Sequence, residues 1–179
     1  MTAVMGTGLP TAAYMKYSVM FPTTFDFGWA GKLPGMFGGP GPSCASGGNH
    51  CPGAWSTRLM WRGGVGGHSA TCGQPCPGEL YLYTDCVGGT GQDLGLGNWK
   101  FPADGKWHTV EEYVSTTSGG NVIVWFDGTQ VFTTALGCTD LPISGIFFST
   151  FYGGSGSQWG PLVATDSYFA NFQLSKNKI

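Results

Sequence analysis

Charge is scarce in this sequence, so the few ionisable side chains are informative by position. Among 179 residues there are 8 lysines and arginines, 10 aspartates and glutamates, and 3 histidines. Three of the basic residues, Lys32, Arg58 and Arg62, fall in the same glycine-rich half of the chain. Arg58 and Arg62 belong to the run 55–62, whose alternation reads as a strand. Trp55, Thr57, Leu59 and Trp61 form its core-facing set, and Ser56, Arg58, Met60 and Arg62 face solvent or a groove. The run 79–84 repeats the pattern, with Leu80 and Leu82 inward and Tyr81 and Tyr83 outward. Outward tyrosines can be cross-strand packing partners. They can also stack on sugar rings, and a phenol beside cations, its pKa lowered by them, can exchange a proton. Lys32 stands in Gly31-Lys32-Leu33-Pro34-Gly35, which reads as a tight loop around one charged side chain. Cations that stabilise a developing negative charge, beside groups that move protons, are what these residue types suit. An ordinary outer-face arginine and a solvated lysine are the plainer alternatives.

Other chemistries fit less well. A glycoside hydrolase needs two carboxylates facing each other. Here Asp26, Asp104 and Asp127 stand in turn-like contexts, and Glu111 and Glu112 are strand neighbours that face opposite ways. No serine lies in a nucleophile elbow. His108 reads as structural, while His68 could enter a groove as a base or a carboxylate ligand. The six cysteines, Cys44, Cys51, Cys72, Cys76, Cys86 and Cys138, are even in number and set among Gly and Pro, which reads as disulfides formed in an oxidising compartment. Cys72-x3-Cys76, with His50, Cys51 and His68 nearby, resembles half a zinc site, but the spacings fit no standard zinc pattern. No acidic cluster suggests calcium. No metal and no cofactor are expected.

The elements that must position these groups are strands. Period-2 or apolar runs occur at 13–21, 55–61, 79–84, 107–115, 121–126, 130–135, 143–151 and 167–174, separated by Gly, Pro, Asn and Asp. Helix signals are nearly absent. The expectation is an all-β, single-domain jelly-roll sandwich over 1–179, with a Cys/Gly-rich loop region at about 38–78 in which 55–61 is the one convincing strand. With 32 glycines and 11 prolines the chain is turn-rich, and its 15% aromatic content supplies a core that disordered sequences lack. A net charge of −2 offers no basic surplus for nucleic acid. No apolar stretch is long enough for a membrane helix. The N-terminal residues lack the basic and apolar regions of a signal peptide, so with the cysteines the expectation is a mature, extracellular monomer.

At this point the motifs carry a resemblance. Tyr17-Ser-Val-Met-Phe-Pro, Phe25-Asp-Phe and Gly31-Lys-Leu-Pro-Gly-Met-Phe-Gly-Gly39 are followed by Trp55-Ser-Thr-Arg-Leu-Met-Trp61 and Leu80-Tyr-Leu-Tyr83. Gly105-Lys-Trp-His-Thr-Val110, Val124-Trp-Phe-Asp-Gly128 and Phe147-Phe-Ser-Thr-Phe-Tyr-Gly-Gly154 complete the series. Together they resemble polysaccharide lyase family 14, and the glucuronan lyases of family 20 share the general architecture. The resemblance implies a jelly roll whose concave sheet binds an acidic polysaccharide, such as glucuronan or alginate, and cleaves it by β-elimination. It implies Lys32, Arg58, Tyr81 and Tyr83 as catalytic residues, matching the family's lysine, Ser-x-Arg and Tyr-x-Tyr motifs. Ser56, Arg62, His68, Ser149 and Thr150 are the expected substrate-binding set. The cysteine-rich stretch between the arginine and tyrosine motifs departs from the family pattern. A non-catalytic carbohydrate-binding module is the alternative that the same sandwich would serve.

Overall fold

A computed structural model describes residues 2–4, 10–49, 51–63, 71–84, 86, 91–154 and 156–179. His50 and His68 lie outside the described residues. Among the described residues twelve strands run in chain order: β1 (Thr2–Val4), β2 (Ala12–Met20), β3 (Ala30–Gly38), β4 (Trp55–Arg62), β5 (Cys76–Thr84), β6 (Gln92–Phe101), β7 (Trp107–Ser115), β8 (Asn121–Phe126), β9 (Thr129–Ala135), β10 (Ile143–Phe147), β11 (Phe151–Tyr152) and β12 (Tyr168–Ser175). Three short 3-10 turns are the helical elements among the described residues.

The strands form two antiparallel sheets. The larger has the order β1-β10-β3-β4-β5-β6, with β11 also paired to β3, and the smaller has the order β12-β2-β7-β8-β9. Alternation buries one face of each. Met15, Tyr17 and Val19 of β2 and Val110 and Val114 of β7 meet Leu33, Leu59, Trp61, Leu80 and Leu82 from the opposite sheet in one core. This is the expected all-β sandwich of the jelly-roll kind.

Several strands differ from the sequence reading. The stretch around Lys32 is not a loop but β3, every residue of which is buried. Its glycines provide space rather than turns: Gly31 accommodates the Trp61 indole and Gly38 the Trp55 indole, where any Cβ would collide. β6 has no clear alternation because Gly95 and Gly97, both at positive φ, interrupt it. The expected strand 143–151 is two pieces, β10 and β11, with Ser149 and Thr150 in the break. Trp55–Arg62 is also not alone in the 38–78 region, since β5 begins at Cys76.

All six cysteines are paired, Cys44–Cys51, Cys72–Cys76 and Cys86–Cys138, which answers the zinc alternative. His108 is structural in its contacts. Its Nδ1 lies 2.6 Å from Asp127 and its Nε2 3.2 Å from Asp104, joining two turns at one end of the sandwich.

Candidate active site

The outward face of β3, β4, β5 and β6 floors a cleft of about 560 Å³. Cross-strand register sets its rows: Lys32 pairs with Met60 and Met60 with Glu79, while Gly35 pairs with Arg58, Arg58 with Tyr81 and Tyr81 with Asp93. A loop brings Gly47 and Gly48 to the cleft, and β11 with the segment after it brings Phe151, Gly154 and Trp159.

Arg58 is the best-buried cation of the floor, only 1% exposed. Its guanidinium packs over the Phe147 ring, 4.9 Å from the centroid. Nε and Nη1 have no hydrogen-bond partner among the described residues. Burial pulls its pKa down to about 10, with Tyr81 and Tyr83 pushing back, so it stays charged at neutral pH. A buried charge with unfilled donors is costly unless an anion completes it.

Lys32 is held differently. Its Nζ lies 2.7 Å from the Met60 sulfur and 2.8 Å from the centroid of the Tyr81 ring. Burial, then the positive charges of Arg58 and Arg62, drive its pKa well below the ordinary lysine range. A desolvated lysine among other cations is disposed to be a neutral amine, the form that accepts a proton. Tyr81 moves upward, because burial and the Asp93 carboxylate outweigh Arg62 and Arg58. The sequence-based expectation of cation-lowered tyrosines is therefore reversed for Tyr81, which keeps its proton.

Arg62 lines the cleft, but two acids hold it. Its Nε donates to Glu79 Oε1 at 2.6 Å and its Nη2 to Asp93 Oδ1 at 2.7 Å. Burial raises the Glu79 pKa to about 7 against the pull of Arg62. The floor is thus less cationic than a count of its basic residues suggests.

The sequence profile described as polysaccharide lyase 14 matches residues 4–172. The chain belongs to polysaccharide lyase family 14. A marine alginate lyase of this family from Aplysia kurodai is 30% identical, with 95% of this chain and 71% of that one aligned at a TM-score of 0.72. An alginate lyase from Chlorella virus is 24% identical, over 98% of this chain and 75% of that one, with a TM-score of 0.73. The endo-β-1,4-glucuronan lyase of the fungus Trichoderma reesei shares the fold at 11% identity, covering 98% of this chain and 73% of that one at a TM-score of 0.60. No curated protein sequence matches. The protein is a polysaccharide lyase that acts on uronates by β-elimination.

In this lyase the cleft gathers Lys32, Arg58, Arg62, Tyr81 and Tyr83. Ser56 lies beneath it, fully buried, and its hydroxyl donates to the Ala45 carbonyl at 2.8 Å. That bond ties β4 to the Cys44–Cys51 loop, which carries Gly47 and Gly48 to the rim. Thr150 lines a separate recess of about 180 Å³ with Phe25, Trp61 and Tyr152, and Ser149 lines neither. Asp93, Phe151 and Trp159 in the cleft lining were not anticipated, nor was Glu79, which is buried behind Arg62. Glu79 was legible, because it stands two residues before Tyr81 on the same face.

Proposed function

We propose that this lyase cleaves a β-1,4-linked polyuronate, alginate (polymannuronate) or glucuronan, outside the cell and leaves unsaturated uronate ends. The observation that carries the reading is Arg58, a buried guanidinium that lines a cleft also holding an amine and two phenols. A uronate carboxylate set against the Arg58 charge is partly neutralised by it, which makes the adjacent C5 proton more acidic. The obstacle in β-elimination is the negative charge that builds on that carboxylate as the proton leaves. A preorganised cation there typically contributes roughly 10²–10³ in rate.

Lys32, disposed to the neutral form, takes the C5 proton. The electron pair forms the C4–C5 double bond, and the C4–O4 bond breaks. A phenol, Tyr83 or Tyr81, donates its proton to the departing O4. Transfer of a proton from the lysine back to the phenolate resets both groups. Phe151 and Trp159, at the cleft wall, are suited to stack against sugar rings. Alginate is the first polymer to try, since the Aplysia kurodai relative is an alginate lyase. Three disulfides using all six cysteines support an oxidising, extracellular setting.

The test is ultraviolet absorbance of the unsaturated product across polymannuronate, polyguluronate and glucuronan. A rise on at least one of them is expected. Binding to these polymers with no rise on any of them would favour a carbohydrate-binding module instead.

A further inference from the structure

Among the described residues one acid lines the cleft, Asp93 of the edge strand β6. A carboxylate is an unexpected group in a site for a polyanion, and this one is firmly held. Asp93 Oδ1 accepts from Arg62 Nη2 at 2.7 Å, and Arg62 Nε donates to Glu79 Oε1 at 2.6 Å. Arg62 and Glu79 are buried, whereas the Asp93 side chain is 40% exposed. Two buried side chains thus anchor an accessible carboxylate at the outer edge of the floor. Its backbone is fixed as well. Asp93 stands opposite Tyr81 in the β5–β6 pairing, and Gly91, two residues earlier, lies where a Cβ would collide with the Tyr81 phenol.

Arg58 marks the opposite pole. Arg58, Tyr81 and Asp93 are consecutive in one cross-strand row, which sets Arg58 and Asp93 two strand spacings apart, roughly 10 Å at the backbone. The cleft therefore offers a sugar chain two unlike groups. The guanidinium suits a carboxylate. The aspartate, an acceptor without a proton to donate, repels a carboxylate and suits the hydroxyls of a sugar. In a 1,4-linked chain with equatorial bonds at both C1 and C4, successive rings turn over, and their carboxylates point to opposite sides. Such a chain can set one carboxylate on Arg58 and turn the hydroxyls of a neighbouring unit toward Asp93. A chain linked through axial bonds does not alternate in this way.

We infer that Asp93 is a specificity-determining residue: it accepts hydrogen bonds from sugar hydroxyls beside the reacting unit and excludes a second carboxylate from that edge of the cleft, so the lyase selects polyuronates whose carboxylates alternate. This rests on the reading of Arg58 as the group that takes the reacting carboxylate.

The experiment measures kcat/KM and Tm of the wild type, Asp93→Asn and Asp93→Ser on polymannuronate, glucuronan and polyguluronate. A polymer that is bound but not cleaved is compared by its Ki as an inhibitor. The wild type should favour polymannuronate or glucuronan, whose linkages are equatorial, over polyguluronate, whose linkages are axial. Asp93→Asn keeps an acceptor for Arg62, loses the charge and gains a donor. It should narrow that preference roughly 10- to 100-fold, the scale of a charged hydrogen bond gained or lost, and Asp93→Ser should narrow it in the same direction. An aspartate that only held Arg62 would instead lower activity on all polymers by one factor, with a lower Tm and the preference unchanged. That result overturns the inference, as does a wild type that prefers polyguluronate. If neither variant folds, salt decides on the wild type: screening of Asp93 should shrink the preference as ionic strength rises, and a preference that ignores salt overturns the inference. A wild type inactive on every polymer is a different failure, that of the lyase reading, and appears before any variant is compared.

Discussion

The Lys32 amine lies over the face of the Tyr81 ring, 2.8 Å from its centroid. The two groups are shifted in opposite senses: the lysine is pushed toward losing its proton and the phenol toward keeping one. Divergent pKa values in neighbouring groups are how one site holds a base and an acid together at neutral pH.

Lys32→Met should abolish most turnover, by roughly 10²-fold or more for a lost base, while stabilising the fold. The sign follows from the lowered pKa. Between the folded value and the ordinary lysine value near 10.5 the unfolded chain binds more protons, so wild-type stability rises with pH across that window. The variant should lack that rise and melt higher at neutral pH. Thermal melts from pH 6 to 10, with kcat at one pH, check both halves.

Arg58→Ala should cost both activity and stability. The sequence reading treated this position as surface, where truncation changes little. The side chain is in fact buried against Phe147, so its removal leaves a void and should cost about 1–3 kcal/mol. Arg58→Lys keeps the charge but loses the planar stack and the fork of donors. Its kcat/KM should fall by roughly 10²-fold with a smaller change in Tm. Denaturant melts beside kinetics separate the two losses.

Tyr83→Phe and Tyr81→Phe each remove one oxygen and keep the ring. The phenol that feeds O4 should lose roughly 10²–10⁴ in kcat when replaced, and the other should alter mainly KM. Tyr83, which lines the cleft beside Arg58, is the expected donor. A Tyr83→Phe with near-normal kcat would move that role to Tyr81.

Glu79 has a folded pKa of about 7 against an ordinary 4.5. Between these values the folded state binds the extra proton, so this carboxyl makes stability fall as pH rises from 4.5 to 7. Glu79→Gln should flatten that part of the profile while Asp93 still holds Arg62. Melting temperature against pH for both proteins is the measurement, and parallel curves would count against the assignment.

Much of the site was legible because β4 and β5 alternate cleanly. Trp55, Leu59 and Leu82 announce the core, which leaves Arg58, Tyr81 and Tyr83 on the other face. β3 was not legible. Gly31, Gly35 and Gly38 look like loop residues in sequence, and only the indoles packed against Gly31 and Gly38 and the β4 backbone against Gly35 explain them. Asp93 was hidden because Gly95 and Gly97 erase the periodicity of β6. Arg62 was found, but not its partners, since a count of basic residues does not reveal which charges are already taken. The buried position of Ser56 was hidden because the loop that covers it is distant in sequence.

The two boundaries of the cleft differ in how freely they can be redesigned. Its floor is one strand thick, and each residue there is backed by the core: a change at Gly31 displaces Trp61, and one at Gly35 strikes the backbone of β4. Its rim at Gly47 and Gly48 has open space around each glycine, and only their left-handed backbone, at φ 65° and 81°, restricts what can replace them. Natural drift and laboratory selection for new polymers should therefore accumulate changes in the rim and leave the floor intact. The loop stapled by Cys44 and Cys51 is then the handle for altering which chain the lyase admits, without altering the reaction.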